Sequence, residues 1–241
     1  MSTSERENSS VLCVNSMSAG YGRLLVIRGC SLRVERSEIV ALIGANGAGK
    51  TTLLRAISAL LPNATGTIEF LGEEVSRLGS RDRVQRGLSQ VIEGHRVFTR
   101  LSVADNLKLA AYGLACRGSL QLATAYDAFP ILHDKRNLKA GTLSGGQKQM
   151  LTIAQGILRQ PKLLMLDEPS AGLAPVLVDQ IFESLRQLKE NGTSVLLVEQ
   201  LVEKALAVSD RTYVMKHGEI VRQARSTDLV GDESLASSFL A

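Results

Sequence analysis

Tryptophan is absent from the 241 residues, and only 4 tyrosines and 5 phenylalanines are present. So small an aromatic set argues against a stacking platform for single-stranded nucleic acid. Cysteine is scarce as well. Cys13, Cys30 and Cys116 form no CxxC pair and are odd in number, which argues against a disulfide framework or a structural zinc site and leaves them as reduced, partly buried small hydrophobes. Long hydrophobic runs are missing too. No window approaches the ~18 uninterrupted apolar residues of a membrane-spanning helix; the longest apolar stretches, such as residues 107–116, are short and contain Lys108. The opening MSTSERENSS is polar and mixed in charge with no apolar h-region, which predicts a disordered tail over residues 1–10, no secretory signal and a cytoplasmic protein.

What is present is a globular composition. Hydrophobic residues make up 44% and charged residues 22%, enough to bury a large core in one large domain or two small ones and to exclude wholesale disorder. The net charge is only +4, and it is local: residues 1–120 carry 15 basic and 10 acidic side chains, residues 121–241 carry 13 and 14. Arg77, Arg81, Arg83, Arg86, Arg96 and Arg100 face only Asp82 and Glu93 in one stretch. That run reads either as a solvated helix face or as a surface for an acidic partner.

Short β-branched or Leu-rich runs alternate with helical stretches. Strands are predicted at residues 11–14, 38–43, 67–70, 88–92, 163–167, 195–199, 212–215 and 219–222. Residues 163–166 (LLML) and 195–198 (VLLV) are apolar throughout, as in a parallel sheet covered on both faces. Between about residues 98 and 161 the strand signal gives way to helical spacing, with Val103, Leu107, Ala110, Ala111 and Leu114 three and four apart. This predicts an α/β architecture with a helical insertion. Each motif occurs once, so there is no internal duplication.

The strongest local signal is Gly44-Ala45-Asn46-Gly47-Ala48-Gly49-Lys50-Thr51, a full match to GxxxxGK[ST] between a buried strand and a helix. Glycines let successive N–H groups turn inward, and the helix adds the positive end of its dipole, so the loop suits a triphosphate. Lys50 brings a charge to the β- and γ-phosphates, and the Thr51 hydroxyl is placed to ligate Mg²⁺. A second component is LLMLDEP, where an apolar strand ends in Asp167 and Glu168 at the sheet edge that binds ligands in open α/β folds. Asp167 can hold the metal shell, and Glu168 can polarise a water in line with the γ-phosphate. Alone, that pair would equally fit a solvated strand-end turn. A third is Leu143-Ser144-Gly145-Gly146-Gln147 ahead of a helix-forming run to Arg159, which resembles another helix N-terminus and in isolation could be a simple N-cap.

With GANGAGKT before it and LLMLDEP after it, LSGGQ makes the chain resemble the ATP-binding-cassette (ABC) ATPases over nearly its whole length. The resemblance implies a P-loop (RecA-like) α/β fold: a mostly parallel sheet with an antiparallel β edge and an inserted helical subdomain. The single ABC ATPase domain would span residues 11–241, with the RecA-like core at about 11–97 and 161–241 and the helical subdomain at about 98–160. It implies ATP and Mg²⁺ as cofactors, with nucleotide contacts from residues 44–51 and Thr52, metal contacts from Thr51, Glu93 and Asp167, and catalytic roles for Lys50, Glu168 and Gln200. Tyr21, in AGYG, matches the aromatic residue that stacks on adenine, although by itself it reads as a loop or core tyrosine. Ser144, Gly145, Gly146 and Gln147 would contact ATP held in the opposite subunit's loop, so two cassettes close head to tail and one copy alone is inactive. Residues 170–175 match the loop that crosses that interface.

Two positions depart from the general cassette pattern: Glu93 stands where a glutamine is usual, and Gln200 where a histidine usually touches the γ-phosphate. Glu93 adds negative charge near phosphate, and Gln200 cannot carry a proton. The strings EGHRVF, AGTLSGGQKQML, LDEPSAGLAP and LLVEQ together look like the ATPase subunits of the branched-chain amino acid importers (LivF type), in which both substitutions are usual. Close relatives of that subgroup serve urea and short amides. Gln155 departs even there, replacing an arginine behind the signature helix. The resemblance implies a motor on the cytoplasmic side of the inner membrane, paired with a second cassette ATPase, alike or different, with permease chains and, indirectly, with an external solute-binding protein, and not with nucleic acid. A cassette acting in translation or DNA repair would need tandem copies or long coiled-coil insertions, for which 241 residues leave no room. A regulatory cassette that binds ATP with little hydrolysis is the remaining alternative, countered by intact Lys50, Asp167 and Glu168.

Overall fold

The computed structural model describes residues 10–94, 96–112, 118–232 and 235; the side chains of 118–121 are not among those described. Residues 1–9 of the tail predicted over 1–10, together with His95, Leu114 and Cys116, lie outside them, and Ser10, the last residue of that prediction, instead opens a strand.

The chain begins with a β-hairpin, β1 (Ser10–Tyr21) and β2 (Leu24–Glu35), followed by β3 (Ile39–Ile43), α1 (Lys50–Ile57), β4 (Thr65–Phe70), β5 (Glu73–Glu74), α2 (Ser80–Gln85) and β6 (Leu88–Val91). Helices then follow: α3 (Val103–Ala111), α4 (Gly118–Ala128), α5 (Pro130–Asp134) and α6 (Gly145–Ile157). β7 (Leu163–Asp167), α7 (Pro175–Glu190), β8 (Ser194–Glu199), α8 (Val202–Val208), β9 (Arg211–Lys216) and β10 (Glu219–Arg225) complete it. Among the described residues between β6 and β7 no named strand occurs, as the helical spacing predicts.

Two sheets form. The larger has the order β10-β9-β3-β8-β7-β6, parallel from β9 through β6, with β10 antiparallel at one edge. The smaller, β2-β1-β4-β5, is antiparallel. The antiparallel part is therefore more than the predicted edge. Its strand β2 escapes sequence reading because Gly29, at φ 57°, breaks the alternation of LLVIRGCSLRVE, and the start of the strand is exposed.

Every residue of β3, β7 and β8 is buried. Alternate side chains go to opposite layers, as the pleat demands. Val40, Leu42, Leu163, Met165, Leu196 and Val198 join the small sheet and α1 in one core. Leu164, Leu166, Val195 and Leu197 meet the helices in the other, where Val103 and Leu107 are fully buried. Burying each such side chain contributes roughly 1.5–3 kcal/mol, so the central strands are the best-anchored part of the molecule. Cys13 and Cys30 are free thiols, and Cys30 is buried.

Arg83 does not belong with the surface arginines. It is 3% exposed and satisfied by main-chain oxygens: Nη1 donates to Ile57 O at 2.6 Å and Ala56 O at 3.3 Å, Nη2 to Ser76 O at 2.9 Å and Nε to Leu78 O at 3.1 Å. Burial pushes its pKa down. The guanidinium caps the carbonyl end of α1, where positive charge complements the helix dipole. Both readings of the arginine run, a solvated helix face or a partner surface, take Arg83 as a surface residue, and for Arg83 both are corrected: it bolts α2 to α1.

Candidate nucleotide-binding site

Register brings the site together. Ile43 pairs with Glu199 and with Val214, and Asp167 pairs with Val198, so β3, β8 and β7 end side by side at their carboxyl edge. The loop of residues 44–49, the Asp167-Glu168 pair and Gln200 leave the sheet from that edge, the place where open parallel sheets bind ligands.

Glycine geometry and a buried lysine fix the shape of the loop. Gly49 sits at φ 108°, and a Cβ there would lie 2.8 Å from Ile27 Cγ2, so both conformation and space require glycine. Lys50, the first residue of α1, is 4% exposed, and its Nζ donates to Gly44 O at 2.8 Å and Ala45 O at 3.1 Å. The ammonium is thus held inside its own loop. Glu168 Oε1 lies 3.5 Å from Lys50 Nζ, and Glu168 Oε2 accepts from Gln200 Nε2. Glu168 itself has φ 48°, unusual for a non-glycine residue, and its N–H donates to Val198 O at 3.0 Å. A strained turn therefore aims this carboxylate between the lysine and the glutamine.

Asp167 is 1% exposed. Its Oδ1 accepts the Thr51 hydroxyl at 3.0 Å, whereas Oδ2 is buried with no hydrogen-bond partner. Desolvation pushes its pKa up to about 6; the Thr51 hydrogen bond opposes this, and the nearby Glu168 and Glu93 carboxylates add to it. An orphaned carboxylate oxygen beside a threonine hydroxyl fits a hard divalent cation. Among the described residues no group of three His, Cys, Asp or Glu side chains is disposed to hold a metal. Such an ion would need oxygens from a phosphate chain and from water, which is the usual arrangement for Mg²⁺ at nucleotide sites.

Tyr21 ends β1 with 43% of its surface exposed, and its hydroxyl accepts from Arg55 Nη1 on α1 at 2.9 Å. Ser144 caps α6 in a capping box: its Oγ accepts from Gln147 N, and Gln147 Oε1 accepts from Ser144 N, both at 3.3 Å. Ser144 and Gly145 are exposed, whereas Gly146 is buried against Leu177 of α7. The signature residues thus stand at the start of α6, the helix that packs on α3, α4 and α5. Gln155 anchors that helix, its Nε2 donating to Asn106 O at 3.4 Å and to Asn106 Oδ1 at 3.5 Å.

Sequence reading missed three features. Glu199 is buried at the end of an otherwise apolar strand, a position where a carboxylate is itself a signal. Arg55 reaches Tyr21 across 34 residues, which no spacing rule reports. A groove of about 1150 Å³ joins Arg81, Gln90 and Arg96 to Tyr112, Gln155 and Arg159, and no acidic side chain is among its described lining residues.

The ABC transporter family model matches residues 27–171. The chain is 39% identical over 231 residues to the high-affinity branched-chain amino acid transport ATP-binding protein BraG of Pseudomonas aeruginosa, covering 95% of this chain and 99% of that one. It is 35% identical over 219 residues to the probable branched-chain amino acid transport ATP-binding protein LivF of Archaeoglobus fulgidus, covering 90% and 93%. With the lipopolysaccharide export system ATP-binding protein LptB of Escherichia coli it shares 30% over 237 residues, covering 96% and 97%. Its fold superposes with TM-score 0.82 on the crystal structure of the ADP conformation of MJ1267, an ATP-binding cassette of an ABC transporter, at 24% identity over 95% of this chain and 97% of the other. A phosphate loop, an Asp-Glu strand end and a capped signature helix thus stand in a chain that matches these proteins over nearly its full length: it belongs to the ABC transporter ATPase family.

Proposed function

We propose that this ATPase drives an importer of branched-chain amino acids. The observation that carries the reading is the full-length likeness to two proteins named for that transport. In this reading the N–H groups of residues 44–52 and the Lys50 ammonium bind the triphosphate, Tyr21 takes the adenine, and Thr51, Asp167 and Glu93 hold Mg²⁺. The ion, when bound, neutralises charge on the phosphate oxygens. Glu168 orients the attacking water, and Gln200 keeps Glu168 in place. Ser144, Gly145, Gly146 and Gln147 complete the site of a second cassette, so hydrolysis needs a closed dimer. The helical part at about residues 98–160 forms a subdomain on the core of about 11–97 and 161–241.

No described helix is long and apolar enough to cross a membrane. The membrane part is supplied by permease chains, against which this subunit sits on the cytoplasmic side. The groove beside β6 supports this reading, because Arg81, Arg96 and Arg159 with exposed Tyr112 suit a short acidic and aromatic permease segment.

The test is purification from membranes followed by reconstitution of the purified complex in vesicles. Co-purification with permease chains and ATP-dependent uptake of leucine, isoleucine or valine is the expected result. Uptake of urea or a short amide instead, export of a lipid, or ATP binding without hydrolysis by the assembled complex would overturn it.

A further inference from the structure

Glu199 closes β8, the strand lying between β3 with its phosphate loop and β7 with Asp167. It is 1% exposed. Its Oε1 accepts from Ser170 N at 3.1 Å, and its Oε2 accepts from Ser170 Oγ at 2.7 Å and from Gln200 N at 3.1 Å; the Leu201 N–H is a further donor. None of these partners is a cation. Burial raises the pKa, and the hydrogen bonds from Ser170, Gln200 and Leu201 oppose that rise. A buried carboxylate without a counter-charge is costly, and a hydrophobic side chain ending an apolar strand would cost less. What the carboxylate adds is direction: two oxygens fix donors from two separate segments.

Those segments matter for hydrolysis. Ser170 lies two residues beyond Glu168, and Gln200 is the residue whose side chain holds Glu168. We infer that Glu199 is a positioning residue for hydrolysis, clamping the segment after Glu168 to the turn that carries Gln200, so that displacement of residues 170–175 changes the grip of Gln200 on Glu168. The clamp itself stands on the ATPase assignment. Its use as a relay from a second cassette rests on the dimer reading above. Ser170 Oγ and Gln200 N share one carboxylate oxygen, so the two segments cannot shift apart without breaking one of the bonds.

The test uses the full-length chain with Glu199→Gln, whose amide keeps one acceptor oxygen and turns an NH2 group toward donors that already point at it. Expected is a fall in kcat of about tenfold or more with ATP affinity changed by less than about twofold, since the triphosphate contacts are untouched. In a Gln200→Ala background the same substitution should cost less than about twofold, because its route to Glu168 is already cut. Ser170→Ala, which removes one donor and no buried charge, should lower kcat in the same direction and show the same dependence on Gln200. An undiminished kcat in both Glu199→Gln and Ser170→Ala, or a loss that persists in full without the Gln200 side chain, would overturn the inference. ATP-induced dimerisation of a Glu168→Gln variant is measured separately: if it fails, the relay from a second cassette is lost, while the kcat cycle still decides the clamp.

Discussion

The Thr51 hydroxyl donates to Asp167 Oδ1 at 3.0 Å across 116 residues, while Oδ2 of the same buried carboxylate has no partner. The two residues bring the phosphate loop and the strand end to one point, and the carboxylate is kept there at a cost to the ligand-free fold.

That cost is measurable. With a pKa pushed up to about 6 in the folded protein from an ordinary value of 3.8, Asp167 binds its proton more firmly when folded. Its contribution to stability is therefore largest below the unfolded value, falls as pH rises through the window from about 4 to about 6, and is flat above. Above pH 6 the ionised form costs on the order of 3 kcal/mol. Asp167→Asn should raise the thermal midpoint of the nucleotide-free chain at pH 7.5, with the advantage shrinking toward pH 4, and should abolish Mg²⁺-dependent hydrolysis. Melting curves across pH, with and without Mg²⁺ and ATP, check both; a variant less stable than wild type at pH 7.5 contradicts the electrostatic account.

The Glu168 carboxylate lies between Lys50 and Gln200 on a turn with φ 48°. Glu168→Gln should leave ATP binding intact, reduce turnover by roughly 100-fold or more, and trap an ATP-bound dimer visible by size-exclusion chromatography. Lys50→Ala should instead weaken ATP binding itself. Unimpaired hydrolysis in the first variant, or unchanged affinity in the second, would remove the assigned roles.

Gln200 holds Glu168 without a titratable group. The pH profile of ATPase activity should therefore lack a limb near neutrality arising from this position, and Gln200→His should introduce one between about pH 6 and 7. Identical profiles for the two proteins would show that residue 200 does not act near the reacting phosphate.

Arg81 and Arg83 are two residues apart in sequence and face opposite environments. Arg83→Met leaves the carbonyls of Ala56 and Ile57 without their cap and should cost about 2–4 kcal/mol in urea unfolding. Arg81→Glu combined with Arg96→Glu should leave stability within about 0.5 kcal/mol while weakening, in a salt-dependent way, recruitment to membranes containing the permease. Undiminished recruitment would remove the groove from the partner surface.

Legibility tracks locality. The phosphate loop, the Asp167-Glu168 strand end and the Ser144 cap are contiguous strings whose chemistry comes from main-chain N–H groups and adjacent side chains, so their spacing alone reports them. The all-apolar runs of β7 and β8 likewise announce a sheet covered on both faces. β2 was not legible, because the bend at Gly29 hides its alternation.

By itself, then, the sequence determined the family and the α/β architecture and singled out the residues proposed to bind nucleotide, because each depends on a short run with a fixed backbone period. Tertiary structure alone decided the long-range contacts that no motif announces: Arg55 with Tyr21, Arg83 with the end of α1, and Glu199 with Ser170 29 residues away. Such pairs are set by strand order and register, which bring the ends of β3, β8 and β7 to one edge, and a buried polar group must find its partner wherever packing places it.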